Sequence, residues 1–175
     1  MSVTVRLVSE EDVVPLTALL RLNRNFLEPY EPAHEDAYFS EQHQRDLLAA
    51  EISRCAEGRG VPLVIMDEQS IVGRINILNI VRRTFQSAQL GYWVDESSNG
   101  RGVASAAVRV TLELAFGELG LHRVEAATLL HNERSQRVLR RNGFSRIGLA
   151  RKYLRIAGRW QDHILFQRVS EARDD

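Results

Sequence analysis

The fold of this 175-residue chain is decided between Gln89 and Phe144. There QLGYWV (Gln89–Val94) is followed by SSNGRGVASAA (Ser97–Ala107) and then by HRVEAATLLHNERSQRVLRRNGF (His122–Phe144). A strand-like apolar run leads through a glycine loop into helical spacing, and a second strand leads into a second helix. Gly100 and Gly102 allow a turn in which successive backbone N–H groups approach an anion at the helix N-terminus. Arg101 between them adds a positive charge.

Three readings compete for that loop. A dinucleotide fold wants G-x-G-x-x-G with an acidic residue about 20 positions on, and an NTPase loop wants Gly-Lys followed by Ser or Thr; neither is present. A plain helix cap is the third reading. Asn132 can cap the following helix with Ser135 in its first turn, and Gly143 can close it with a left-handed residue. The segment NGRGVA (Asn99–Ala104) resembles the Q/R-x-x-G-x-G/A signature of the GNAT superfamily of N-acetyltransferases, with Asn99 in the first place. HNERSQRVLRRNGF (His131–Phe144) resembles the N-x-x-S-x-x-(V/L)-L-x-x-x-GF segment of the same superfamily.

The flanks narrow the resemblance. NRNFLEPYEP (Asn23–Pro32), NIVRRTFQSAQLGY (Asn79–Tyr92) and KYLRIAGRWQDH (Lys152–His163) are similar to the ribosomal-protein-alanine N-acetyltransferases, the RimJ branch more than the RimL branch. The likeness spans Val3 to Arg168. It implies acetyl-CoA as cosubstrate, held by Trp93, Val94, Asn99, Gly100, Arg101, Gly102, Val103, Ala104, Asn132 and Ser135. It places Glu28, Tyr30, Glu31, Arg83, Gln89, Tyr92 and His163 on the acceptor side.

The chain is long enough to bury roughly two-thirds of its unfolded surface in one domain, expected over residues 1–169 with a frayed tail at 170–175. Hydrophobic residues make up 44% and charged residues 26%, typical of globular proteins, and no run reaches the ~18 apolar residues of a membrane span. MSVTVRLVSEED at the start lacks the layout of a secretory signal, so a cytoplasmic location is expected. The single cysteine, Cys55, excludes an internal disulfide, and no histidine cluster has metal spacing; no metal is expected. Cys55 falls on the apolar side of a helical pattern with Leu48 and Ile52, which marks it as a structural thiol.

Net charge is zero, which argues against direct nucleic-acid binding. The balance is uneven: residues 1–99 carry 9 basic and 15 acidic side chains, residues 100–175 carry 14 and 8. That asymmetry suits a polyanionic cofactor on the C-terminal half and a cationic amine on the N-terminal half.

Periodicity predicts an opening strand from Val3, a helix capped by Asp12 with Pro15 in its first turn, and an irregular segment over 25–40. Ser40 then caps a helix to Glu57. A hairpin pairs Leu63–Met66 with Ile71–Ile80, and a long strand runs from Thr84 to Val94. The helix Gly102–Phe116, the strand His122–Leu130 and the helix Asn132–Asn142 follow. Two strands, Arg146–Ile156 and Arg159–Arg168, close the order around a turn at Gly158. The fold class is α+β, a three-layer α/β arrangement. The resemblance implies a mixed, mostly antiparallel sheet of about seven strands with helices on both faces and a splayed parallel pair at the acyl-CoA site.

Amide formation from a thioester needs a neutral amine, a polarised carbonyl and a protonated leaving group. Relatives of the RimL branch carry Glu where this chain has Gln89, which cannot accept a proton. Glu31 is then the leading base or amine-holding carboxylate, with Glu28 second. Either Asp162 or His163 can face a cleft, since a strand alternates its faces. A backbone N–H near Trp93 or Val94 is the expected carbonyl donor. Ser135 and Tyr153 compete as proton donors to the sulfur, and Asn132 is placed near the cofactor arm. The expected activity is acetylation of a primary amine, foremost the α-amine of a ribosomal protein starting with Ala or Ser. A small-molecule amine acetyltransferase and a non-catalytic acyl-CoA-binding regulator are the alternatives, and the protein is expected as a monomer or homodimer.

Overall fold

The computed structural model describes residues 2–171. Among the described residues seven strands form one sheet: β1 (Val3–Leu7), β2 (Val61–Asp67), β3 (Ser70–Val81), β4 (Ser87–Val94), β5 (Arg123–Leu129), β6 (Ser145–Ile156) and β7 (Arg159–Val169), in the order β1-β2-β3-β4-β5-β7-β6. Every neighbouring pair is antiparallel except β4 and β5.

The helices are α1 (Val13–Leu22), α2 (Arg24–Leu27), α3 (Glu41–Ala56), α4 (Val103–Phe116) and α5 (Glu133–Arg141). Residues 61–65 of β2 are buried without alternation because the sheet is covered on both faces there. Leu63 and Ile65, with Ile75, Ile77 and Leu90, pack against Val103, Ala107 and Val108 of α4. Val64 points the other way, onto Val13 and Leu16 of α1 and Leu48 of α3. Burying each such side chain contributes about 1.5–3 kcal/mol, so both helical layers are held by apolar contact. Gly73 of β3 admits close approach to β4: a Cβ there would lie 2.2 Å from the Trp93 carbonyl oxygen.

Several boundaries differ from the sequence reading. Asp12 makes no side-chain cap on α1. Its carboxylate accepts from the Ser9 N–H at 2.8 Å and from both terminal nitrogens of Arg6 at 2.7 Å, and these bonds, Arg6 foremost, hold it below the usual carboxylate range. The segment 25–40 is a series of short helical turns, Glu28–Tyr30 and Asp36–Phe39 following α2. Ser40 caps α3 as expected, accepting from the His43 N–H. The strand expected from Thr84 starts only at Ser87, because the chain turns at Arg83 and Gln86, both with positive φ. Ser170, assigned to a frayed tail, donates its N–H to the His122 carbonyl at 2.8 Å; residues 172–175 of that tail lie outside the described residues.

Candidate active site

The site begins where the parallel pair ends. β4 and β5 pair at Ser87 with Arg123, Ala88 with Val124 and Gln89 with Glu125, and no further. Beyond Gln89, β4 stays with β3 while β5 stays with β7 as far as Leu129 opposite His163, so a gap opens in the sheet. The Asp95 N–H bonds the Val72 carbonyl at 2.8 Å, toward β3. Strand alternation therefore turns the Trp93 amide to β3 and leaves those of Tyr92 and Val94 facing the gap. Of the two expected carbonyl donors, Val94 has the right direction.

At the mouth of the gap, Gly100 and Gly102 have φ of 77° and 83°, the left-handed region, and Gly102 is the N-cap of α4. A Cβ on either would meet nothing within 4 Å, so the backbone demands glycine and the space before it is open. Asn99 shapes the loop, its side-chain amide donating to the Asp95 and Glu96 carbonyls. The groove in front is lined by Asn99, Gly100, Gly102, Val103 and Ala104, and across from them by Arg134, Arg137 and Arg141 of α5. Arg101 is not among its walls. That guanidinium turns away to Asp67 at 3.0 Å. The three α5 arginines replace it, and their i, i+3, i+7 spacing was readable as one helix face. N–H groups at a helix start facing three guanidiniums fit the pyrophosphate of a CoA.

The gap itself is lined from one side by Tyr92, Asn132, Ser135 and Thr128, and from the other by Tyr30, Glu31, Trp93 and His163. The Asn132 side chain accepts from the Ser135 N–H at 3.1 Å and so starts α5. The Ser135 hydroxyl lies 2.8 Å from the Tyr92 hydroxyl. Burial, offset in part by that bond, pushes Tyr92 up to about 12, so it stays a neutral phenol. His163 is buried, and its Nδ1 lies 3.0 Å from the Gln161 carbonyl, which fixes the proton on Nδ1 and leaves Nε2 as the acceptor of the neutral ring. Asp162 is on the opposite face, accepting from the Lys152 N–H.

Glu31 is the carboxylate at the gap. Burial raises its pKa above the ordinary 4.5, and His34 lies beside it, Nε2 at 3.8 Å. Burial, with His43 nearby, lowers the pKa of His34, so that ring is a poor neutraliser. The Glu31 carbonyl accepts from the Ala157 N–H at 2.9 Å, which ties this segment to the β6–β7 turn. Glu28 is exposed and lines a neighbouring pocket with Arg24, Glu31, His34 and Phe39. Tyr30 leans on His131, ring centroids 5.8 Å apart.

Three expected residues stand apart. Arg83 is in the turn before β4, at the end of the strand opposite the gap. The Gln89 side chain accepts from Asn79 at 2.9 Å on the last paired rung and lines none of these cavities. Tyr153 lies against the His163 ring, 5.6 Å between centroids, behind the cavity wall. The tyrosine hydroxyl beside Ser135 is that of Tyr92, and Tyr153, expected as the competing donor to the sulfur, is not at the cavity.

The acetyltransferase (GNAT) domain family matches residues 2–145. The chain is 33% identical over 163 residues to the [ribosomal protein uS5]-alanine N-acetyltransferase of Escherichia coli, covering 92% of this chain and 84% of that one. It is 34% identical over 143 residues to the probable N-acetyltransferase YjcK of Bacillus subtilis, covering 81% and 79%. Among solved structures, the ribosomal-protein-S5-alanine acetyltransferase of Vibrio fischeri superposes with a TM-score of 0.93 at 32% identity, over 100% of this chain and 97% of that one. RimJ of Mycobacterium smegmatis, solved with a CoA disulfide, gives 0.94 at 30% identity over 99% and 84%. With a split parallel pair, a glycine-turned helix start and a groove suited to a CoA pyrophosphate, the chain belongs to the GNAT family and is an acetyl-CoA-dependent N-acetyltransferase.

Proposed function

We propose that this enzyme acetylates the N-terminal α-amine of a protein beginning with alanine or serine, a ribosomal protein as the names of its relatives suggest. The observation that carries this reading is Glu31, a half-buried carboxylate of raised pKa at the gap, in a chain whose β4 contributes no carboxylate there. An α-amine has a pKa near 8 against about 10.4 for lysine, so about a tenth of it is neutral at pH 7 and it needs little of a base.

Bound acetyl-CoA supplies the activated acyl thioester. Gly100, Gly102 and the first turn of α4 bind its phosphates together with Arg134, Arg137 and Arg141. The Val94 N–H, directed into the gap, donates to the acyl carbonyl oxygen where negative charge grows. Glu31 holds the incoming ammonium and takes its proton; His163 Nε2 is the second acceptor. Tyr92 donates to Ser135 Oγ and so frees the serine's own proton for the departing sulfur. Glu28 and Glu31 favour a basic stretch behind the reacting amine.

The test compares a short Ala- or Ser-starting peptide with the same peptide N-blocked and carrying an internal lysine, with thiol release as readout. The free α-amine should give at least a tenfold higher kcat/KM. Equal rates, a polyamine outperforming both, or cofactor binding without turnover on any amine would overturn the reading.

A further inference from the structure

Among the described residues three threonines are buried: Thr17, Thr111 and Thr128. The first two satisfy their hydroxyls on their own helices, Thr17 on the Val13 carbonyl at 2.6 Å and Thr111 on the Ala107 carbonyl at 2.9 Å. Thr128 is on β5, where no carbonyl four residues back is within reach, and its Oγ1 is buried without a partner. The residue is 4% exposed and lines the gap. It shares its strand face with Val124 and Ala126, which pack in the core on the α4 and α5 side, the side of Tyr92 and Ser135. A buried polar atom left unpaired costs stability, so one beside a substrate cavity calls for an occupant.

We propose that the Thr128 hydroxyl binds the arm of the acyl-CoA, donating a hydrogen bond to one of its carbonyl oxygens where it passes between β4 and β5. The arm offers amide and thioester carbonyls, and the free hydroxyl is the one side-chain donor on β5 at that depth. Thr128 completes its hydrogen bonding only when the donor substrate is present. This inference rests on the use of acyl-CoA and is independent of the acceptor.

Thr128→Val keeps the shape and removes the hydroxyl. Its melting temperature without ligand should rise, because the orphan is gone, while calorimetric affinity for CoA or acetyl-CoA falls about tenfold. Thr128→Ser should bind as the wild type, and Thr128→Ala should lose affinity as the valine variant does. Weakening for both ligands assigns the bond to an amide of the arm, and weakening for acetyl-CoA alone assigns it to the thioester. Unchanged affinity in Thr128→Val overturns the proposal, as does a lowered melting temperature, which would mean that the hydroxyl has a partner inside the protein. These titrations contain no amine, so failure of the acceptor reading leaves their outcome untouched.

Discussion

Asn23 and Asp95 lie 72 residues apart in the chain and meet at 2.7 Å, the asparagine Nδ2 donating to the carboxylate Oδ1. Asn23 returns its own oxygen to the Glu96 N–H at 2.8 Å, and both residues are buried. The clasp joins the end of α1, from which the Glu31 segment departs, to the turn between β4 and the glycine loop. Asn23→Ala leaves a buried carboxylate short of a donor and should cost about 2 kcal/mol in urea unfolding. It should also raise KM for both substrates, since neither half of the site is then fixed against the other.

Gly102→Val places a β-branched residue at φ 83°, at a cost of about 1–3 kcal/mol, and fills open groove. A folded variant should lose measurable acetyl-CoA binding by calorimetry. Near-wild-type affinity would remove the loop from the cofactor site.

The α5 arginines and Arg101 make opposite predictions. Arg134→Ala, Arg137→Ala or Arg141→Ala should each weaken CoA binding about tenfold and flatten its salt dependence. Arg101→Ala should leave the Kd within about twofold, because that guanidinium is committed to Asp67.

Glu31 gives a pH signature. Its folded pKa is raised above the unfolded 4.5, so between the two values the folded state binds more protons and stability falls as pH rises. The penalty sets in as pH rises above the unfolded value, so Glu31→Gln should melt higher than the wild type at pH 7 with little difference below pH 4. The same substitution should lower kcat/KM for an α-amine peptide about tenfold and remove the lower limb of its pH profile. A variant that is less stable at pH 7 would contradict the burial argument.

Cys55 is half-buried on α3, which contributes no residue to the walls of the gap or the groove. Cys55→Ala should retain full activity, and mass spectrometry after acetyl-CoA alone should find no acetylated cysteine. An acetylated Cys55 with activity lost in the variant would replace direct attack by a two-step transfer.

The glycine loop and the α5 cap are legible because each rests on local rules, a positive φ and a side-chain cap, whereas the split pair is implied by the resemblance alone, since periodicity does not say which strands part. The pairing of Arg101 with Asp67 is not legible, since it joins positions 34 residues apart and local pattern says nothing of which way a loop side chain turns. The reach of Tyr92 to Ser135, 43 residues on, depends on how α5 packs against α4 and β5, which local pattern does not carry. Ser9 was missed beside Asp12 because the turn it starts is three residues long, too short for periodicity to register. Arg83 and Gln89 enter through resemblance to flanking segments; the turn at Arg83 and Gln86 keeps the first at the far end of β4, and pairing with β5 as far as Glu125 keeps the second short of the gap.

The bond from the Ala157 N–H to the Glu31 carbonyl makes the β6–β7 turn part of the proposed acceptor side, 126 positions downstream of the carboxylate it braces. Both residues of that turn, Ala157 and Gly158, have positive φ, so their type and number set the register of the hairpin. A lineage that inserted or swapped residues at Ala157 and Gly158 would therefore reshape which amines enter while leaving the phosphate grip intact. Substrate range in such a scaffold can drift through its last hairpin alone, independently of the chemistry it serves.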